Sequence, residues 1–285
     1  MPTAGAKPTF RRVALIGKPG SEEVAAPLKA LREILESRGC EVVLEADKAP
    51  TCDLVVAVGG DGTMLTAARS LMRHRVPLTG VNQGRVGFMT DIGQHDMRQG
   101  IEAILEGRYS IEERAALEAE VFRGGRSVAT AIALNEAVVG RGAEGRMIEF
   151  SLAIDGEFVY KLRGDGVIVA TPTGSTAYAL SAQGTILHPA VPALALVPLN
   201  PHTLSARPVS ISDRATIEIT LEHALDAGAH FDGVVRTELR DGDRVVIKRS
   251  ADSVRFVHPP GYRYFATLRE KLRWSEVLDR ARPPG

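Results

Sequence analysis

Apolar residues fall into two different patterns along the chain, and the change lies near residue 110. In the first part, short apolar runs at residues 13–16, 40–44, 54–58 and 78–81 have the length of buried strands. Between and after them, apolar residues recur at helical spacing over residues 24–35, 64–72 and 94–106. Strands that alternate with helices in this way predict an α/β domain with a parallel sheet.

Alternation with a period of two residues dominates the second part and predicts a mainly β domain. Asp155-Gly156 and Gly124-Gly125 lie between alternating runs and predict hairpins. Further strands are expected at residues 167–170, 215–221, 234–239, 244–249 and 253–257. Helical spacing returns over residues 267–278, and we expect this helix to pack back on the first domain. The predicted organisation is therefore an α/β domain over residues 1–120, a β-rich domain over 121–265 and a helical tail over 266–285.

Composition narrows the class of protein. The 285 residues contain 35 basic and 35 acidic side chains, so neither nucleic acid nor an anionic membrane is expected as the main partner. The longest apolar runs are far shorter than a bilayer span, and residues 1–12 lack the apolar core of a signal peptide. Cys40 and Cys52 have neither metal-ligand company nor a disulfide pattern, which favours a cytoplasmic protein with reduced thiols.

A glycine-rich turn links the strand at residues 54–58 to the following helix. Gly59, Gly60 and Gly62 allow a phosphate to approach the backbone, and the helix N-terminus would direct N–H groups at it. Thr63 is expected to cap that helix. Asp61 would repel a phosphate unless it binds a metal, a hydroxyl or a proton; the alternative is a simple turn aspartate. Residues 82–90, which include Arg85 between Gly84 and Gly87, follow the next strand and are expected to wall the same pocket.

Three polar clusters interrupt the β-rich part. Asn135 and Glu136 stand side by side among apolar residues, where a regular strand would bury one and solvate the other. Asp165 lies between glycines in the sequence RGDG, and residues 171–178 read TPTGSTAY, rich in hydroxyls and closed by Tyr178. Hydroxyls suit recognition of a sugar or a base, and Tyr178 suits contact with a purine ring. Each cluster alone is typical of a turn, but their combination with Asp61 indicates a binding site.

These motifs resemble those of the bacterial NAD kinases in both content and order. The resemblance covers roughly residues 50–240 and includes GGDGT at 59–63, the Asn135-Glu136 pair, RGDG at 163–166, TPTGSTAY at 171–178 and HTLSARP at 202–208. GGDGT alone is shared with phosphofructokinases and with diacylglycerol and sphingosine kinases, whereas TPTGSTAY is far more specific. One departure is Val234, which follows Asp232-Gly233 where relatives often have glutamine; Asp232 itself is interpreted as closing a turn.

The resemblance implies that ATP phosphorylates the 2′-hydroxyl of the adenosine ribose of NAD. It also implies a divalent cation, Mg²⁺, and a homodimer or homotetramer. Asp61 would accept the proton of that hydroxyl, and the phosphate loop would comprise Gly59, Gly60, Gly62 and Thr63. The residues implied in NAD binding are Asp61, Gly62, Asn135, Glu136, Arg146, Arg163, Asp165, Thr176, Ala177, Tyr178, Ala179, Leu180 and Ser181.

Two other functions stay open at this point, and a third is weaker still. A related GGDGT kinase acting on a lipid or sugar alcohol would share the phosphate loop, although no apolar stretch indicates a lipid groove. A non-catalytic NAD(P) sensor would not need Asp61. A hydride-transferring dehydrogenase is disfavoured because the turn is not G-x-G-x-x-G. The sequence leaves open whether ATP or polyphosphate is the donor, whether NADH is an acceptor and whether NADP or NADPH gives feedback.

Overall fold

The computed structural model describes residues 8–18, 20–84, 87–233 and 235–274. Its contacts divide the chain into a first unit, residues 1–113 with 254–285, and a second unit, residues 114–253. The borders expected from sequence, near residues 120 and 265, lie further along the chain. The predicted borders differ from the observed ones because a single strand continues across each of them, Ser110–Arg123 at the first and Arg244–His258 at the second.

Parallel strands form the sheet of the first unit, as the alternation of apolar runs predicts. The strands are β1 (Arg12–Gly17), β2 (Glu41–Val43), β3 (Leu54–Val58) and β4 (Leu78–Val81). They lie in the order β2-β1-β3-β4, and every neighbouring pair is parallel. All five residues of β3 are buried, which explains why its sequence is apolar without alternation. The carboxyl ends of β3 and β4 therefore lie side by side, where ligands of such sheets bind.

The helices of the first unit each bury apolar residues. They are α1 (Ala25–Ser37), α2 (Asp61–Leu71), α3 (Met97–Leu105) and the C-terminal α5 (Tyr264–Leu272); the short α4 (Tyr178–Ser181) belongs to the second unit. Leu31 and Leu35 of α1 and Ile101 of α3 enter one core with the strands. Leu268 of α5 is buried within the first unit, which confirms the predicted return of the tail, whereas residues 275–278 lie outside the described ranges. No helix of the described ranges has the length and apolarity needed to cross a membrane.

One helix start differs from the sequence-based expectation. Helix α2 begins at Asp61, with Gly60 at the N-cap position, so Thr63 lies inside the first turn and does not cap it. Thr63 was correctly placed near the start of this helix but not at its N-cap position.

Antiparallel strands make up the second unit, as predicted. They are β5 (Ser110–Arg123), β6 (Arg126–Ala133), β7 (Glu136–Arg141), β8 (Ile148–Ile154), β9 (Glu157–Gly164), β10 (Gly166–Ala170), β11 (Ala193–Leu199), β12 (Val209–Ser212), β13 (Ile217–His223), β14 (Ala227–Phe231), β15 (Val235–Leu239) and β16 (Arg244–His258). One sheet has the order β12-β11-β10-β7-β14-β15. The other places β13 between β16 and β8, with β9 outside β8. Inward side chains of both sheets, such as Phe150 and Phe231, share one core.

Both predicted hairpins are present, and their turns show why. Gly124 and Gly125 have φ of 56° and 79°, and Asp155 and Gly156 have φ of 51° and 84°. Two successive positive φ values match the strand twist and favour Gly and Asp. The strands β11, β12 and β14 were not predicted, and residues 244–258 form one strand where two were expected.

Candidate functional site

The glycine turn after β3 is shaped by a close approach that only glycine permits. Gly59 has φ of 153°, and its N–H donates to Val81 O at 2.9 Å. A Cβ atom on Gly59 would lie 2.4 Å from Oγ1 of Thr63, whose side chain folds back over the turn. Gly60 and Gly62 have open space where a Cβ would lie. Gly59 is therefore required by the fold, whereas Gly60 and Gly62 leave the start of α2 uncovered.

Two backbone amides hold the carboxylate of Asp61. Phe88 N donates to Oδ2 and Met89 N donates to Oδ1, each at 3.0 Å. A Cβ on Gly87 would lie 2.0 Å from Oδ1 of Asp61, so this glycine makes room for the carboxylate. The structure thus confirms that residues 87–89 join Asp61 at the sheet edge, while Arg85 lies outside the described residues. Charge-assisted bonds of this kind fix the orientation of Asp61.

In the second unit, Asp232 determines the shape of the chain around Asn135 and Glu136. Its carboxylate accepts N–H bonds from Leu134, Asn135 and Glu136 at 2.9, 2.7 and 3.3 Å. The chain bends at residues 134–135 before β7 begins, and so the alternation of a strand does not apply. Both Asn135 and Glu136 are consequently buried, with 8% and 7% of their surface exposed. Asp232 does more than close a turn, contrary to its sequence-based interpretation.

Two acceptors of this pair are buried and have no partner in the described structure: Oδ1 of Asn135 and Oε2 of Glu136. Burial, together with the negative charge of Asp232, raises the pKa of Glu136 to about 7, although a backbone bond from Tyr178 opposes the shift. An unsatisfied buried acceptor costs about 1–3 kcal/mol unless a ligand or water donates to it. The pair is therefore suited to binding hydroxyl or amino groups.

The TPTGST segment uses most of its hydroxyls to build this corner. Thr171 Oγ1 donates to Leu134 O at 2.6 Å, and Ser175 Oγ bonds both to Pro172 O and to the backbone of Leu187. Thr176 Oγ1 donates to Thr173 O at 3.0 Å. A Cβ on Gly174 would lie 2.0 Å from Asn135 O, so the segment packs directly against the pair. The hydroxyl density reflects backbone bracing more than free recognition groups.

A cavity of about 550 Å³ in the second unit brings together three of the predicted site residues: Glu136, Asp165 and Tyr178. Asp165 is held there by an ion pair with Arg141 at 2.7 Å and by Nδ2 of Asn200 at 2.7 Å. A second cavity, about 710 Å³ and bordered by Ser181, shares Tyr178 with the first. The first cavity thus offers the guanidinium of Arg141 and several hydrogen-bond acceptors around the exposed ring of Tyr178.

Other predicted residues lie elsewhere. Arg146 and Arg163 keep 64% and 60% of their side chains exposed, and they face Glu144 and Glu149 at 4.0 and 3.9 Å. Neither arginine lines the two cavities. Ala179 is wholly buried, and Ala177 and Leu180 are partly buried beside Tyr178. Val234 lies outside the described residues.

Two polar residues of this site were not singled out for it by sequence: Asp232 and Arg141. Asp232 was recognisable only as the acid of an Asp-Gly pair, and its partners stand about a hundred positions earlier in the chain. Nothing in the sequence around Arg141 indicates a site, because its partner Asp165 is distant in sequence. Asp165 directly precedes β10, which pairs with β7, the strand that ends at Arg141. In the described ranges, no three His, Cys, Asp or Glu side chains converge in a way suited to a metal ion.

Comparisons with known proteins agree on one family. Residues 134–259 match the family model of the ATP-NAD kinase C-terminal domain, and residues 40–109 match that of the ATP-NAD kinase N-terminal domain. An NAD kinase of Aromatoleum aromaticum is 53% identical over 93% of this chain and 95% of its own length. An NAD kinase of Azoarcus sp. is 52% identical over 94% and 97%.

Two solved structures have the same fold as this chain. A crystal structure of an NAD kinase from Archaeoglobus fulgidus in complex with ATP has a TM-score of 0.76 and 29% identity, covering 92% of this chain and 98% of that one. Yeast NADH kinase complexed with NADH has a TM-score of 0.81 and 22% identity, covering 94% and 88%. At 22% identity, the comparison with the yeast protein concerns the fold alone.

Replacing Gly87 by alanine should impair turnover, because the new Cβ would displace the carboxylate of Asp61. We expect kcat to fall by about 10²-fold, which is the loss that a misplacement near 1 Å can cause. Steady-state kinetics of Gly87→Ala measure this. Gly93→Ala is the matched control, since its Cβ would meet only Asp96 at an ordinary 3.8 Å. Equal kcat values for the two variants would contradict the close approach to Asp61.

Glu136 should make the stability of the ligand-free protein depend on pH. A raised folded pKa means that the folded state binds the proton more tightly, so stability falls as pH rises from the unfolded pKa, 4.5, to about 7 and then levels off. From pH 5 to pH 8, the free energy of unfolding of Glu136→Gln should therefore rise by on the order of 2 kcal/mol relative to that of the wild type. Urea denaturation at both pH values tests this. Glu144→Gln, at an exposed position, is the control, and the same pH trend in both variants would refute the effect.

Proposed function

The chain belongs to the ATP-NAD kinase family, and from this premise we propose that it transfers the γ-phosphoryl group of ATP to the 2′-hydroxyl of the adenosine ribose of NAD. The products are NADP and ADP. The observation that carries the NAD assignment is the pair of buried acceptors, Asn135 Oδ1 and Glu136 Oε2, beside a cavity with Asp165 and Tyr178.

Each part of this cavity matches one chemical feature of the dinucleotide. The unpartnered oxygens of Asn135 and Glu136 can accept hydrogen bonds from the ribose hydroxyls and from the adenine amino group. The exposed ring of Tyr178 offers a face for a base. Arg141, fixed by Asp165, places a guanidinium at the cavity wall, where it favours an anionic ligand. The hydrocarbon part of a lipid alcohol would offer no hydrogen-bond donor to the buried acceptors of Asn135 and Glu136.

Asp61 is the group to which we assign the proton transfer. As the ribose oxygen bonds to the γ-phosphorus, the bond from that phosphorus to the ADP oxygen breaks, and the hydroxyl proton passes to the carboxylate of Asp61. The amides of Phe88 and Met89 orient this carboxylate, while Gly60 and Gly62 leave the start of α2 open to phosphate. Phosphoryl transfer needs mainly such positioning and charge stabilisation.

A divalent cation, Mg²⁺ by our proposal, enters as part of the ATP substrate and neutralises its phosphates. The family resemblance also supports the proposals of a homodimer or homotetramer and of a cytoplasmic location. The family relationship favours ATP as donor.

Replacing Asp61 by asparagine should abolish most of the activity while leaving NAD binding intact. The amide keeps the size of the carboxylate but cannot accept the hydroxyl proton, and loss of a general base costs about 10²–10⁴-fold in rate. NADP formation from NAD and MgATP measures the rate, and calorimetry measures NAD affinity. Turnover at the wild-type rate would remove Asp61 from the role of base.

Asn135→Ala is the complementary variant for that experiment. It leaves Asp61 untouched, and we expect about tenfold weaker NAD binding, the loss of one hydrogen bond near 1.4 kcal/mol, with ATP affinity unchanged. Unaltered NAD affinity in this variant would contradict the assignment of Asn135 to the dinucleotide.

A further inference from the structure

A buried histidine of the first unit lies between two carboxylates that the proposed chemistry does not use. His258 is 3% exposed; its Nδ1 contacts the Asp91 carboxylate, and its Nε2 lies 3.0 Å from Oε2 of Glu112. The ring of Tyr262 stacks on it with centroids 3.9 Å apart. Burial alone would lower the pKa of His258, but its bonds to Asp91 and Glu112 outweigh this and raise it. Since both partners accept hydrogen bonds, the arrangement favours an imidazolium that donates from both nitrogens.

Asp91 ends the same segment whose amides hold Asp61. Residues 87–91, here called the amide segment, run from Gly87 through the donors Phe88 and Met89 to Asp91. Inside it, Gly87 N donates to Oγ1 of Thr90 at 2.7 Å, and the Thr90 side chain is wholly buried. The segment therefore has its own internal brace, and its side-chain anchor to the C-terminal part of the chain is the bond from Asp91 to His258.

Beyond the amide segment the chain is fixed by backbone pairing. Asn82 N donates to Ile92 O at 2.8 Å, and Ile92 N donates to Gly80 O at 3.3 Å. These bonds fix the position of Ile92 against β4, and neither is made by the peptide groups of Phe88 or Met89. The bond from the Asp91 side chain to His258 is therefore a further tether on the amide segment, between its two donors and Ile92. A buried ion pair holds a segment firmly, because separating the partners leaves a buried charge without compensation.

We propose that His258 is a positioning residue for Asp61, acting through Asp91 and the amide segment. The proposal rests on the proposed function, because it takes Asp61 to be the base of the phosphoryl transfer. His258 itself does not touch the reacting groups in this account. Its contribution is to hold the two amide donors, and hence the Asp61 carboxylate, in the orientation needed for proton transfer.

Two amide substitutions separate the bond to Asp91 from the bond to Glu112. The side-chain nitrogen of asparagine lies near the position of Nδ1 of a histidine, whereas that of glutamine lies near Nε2. His258→Asn therefore keeps a donor for Asp91, and His258→Gln keeps one for Glu112. We expect kcat to fall about tenfold in His258→Gln and less than threefold in His258→Asn, while KM for NAD stays within about twofold in both.

A purely structural role for His258 makes a different prediction. In that case kcat would follow the melting temperature, or KM would change together with kcat. Glu112→Gln is the matched control, because it removes the charge from the other carboxylate partner without touching the amide segment; its kcat should equal the wild-type value. Equal kcat in His258→Asn and His258→Gln, or a tenfold loss in Glu112→Gln, would overturn the proposal.

Asp61→Asn distinguishes this inference from the function on which it rests. If Asp61→Asn is inactive while His258→Gln keeps the wild-type kcat, only the role of His258 is overturned. If Asp61→Asn turns over at the wild-type rate, the assignment of the base fails whatever His258 does. Loss of kcat in Asp61→Asn and His258→Gln, with recovery in His258→Asn, supports both.

Discussion

Hydrogen bonds from backbone amides to a carboxylate are the interaction on which two polar centres of this protein depend, one around Asp61 and one around Asn135 and Glu136. In the first unit, Phe88 and Met89 hold Asp61; in the second, Asp232 holds Leu134, Asn135 and Glu136. A hydrogen bond to a charged group contributes about 1.5–3 kcal/mol, enough to fix a short loop in one conformation. In the first centre the amides hold the carboxylate that we propose as the base, while in the second a carboxylate shapes the backbone that presents other groups.

The second centre divides its polar groups between construction and recognition. Thr171, Ser175 and Thr176 spend their hydroxyls on nearby backbone atoms, and Gly174 lets the segment lie against Asn135. This bracing buries the oxygens of Asn135 and Glu136 without partners. Such an arrangement costs stability in the ligand-free protein, and binding of a donor-rich ligand recovers that cost. A sequence dense in hydroxyls can thus brace a site whose unpartnered acceptors belong to neighbouring residues.

Local patterns were sufficient for much of the fold. The unbroken apolar run of β3, the glycine pairs of the hairpins and the change from helical to alternating spacing each report on neighbouring residues, and the structure agrees with them. One failure concerns a position decided by distant partners, because Asp232 acts on residues about a hundred positions away. The misplaced cap at Thr63 is a local failure, because helix α2 has its N-cap three residues earlier, at Gly60. Some site residues assigned from the family resemblance lie together and others do not. Glu136, Asp165 and Tyr178 share a cavity, whereas Arg146 and Arg163 lie outside it and face Glu144 and Glu149.

The central claim is that this cavity and Asp61 serve the phosphorylation of one hydroxyl of NAD. Phosphorus NMR of the product, formed with MgATP and either NAD or AMP as acceptor, tests it most directly. Because several contacts must position the dinucleotide, the account predicts a phosphate on the 2′-oxygen of the adenosine ribose and almost no product from AMP. Phosphate on any other oxygen, or equal rates with NAD and AMP, would contradict it.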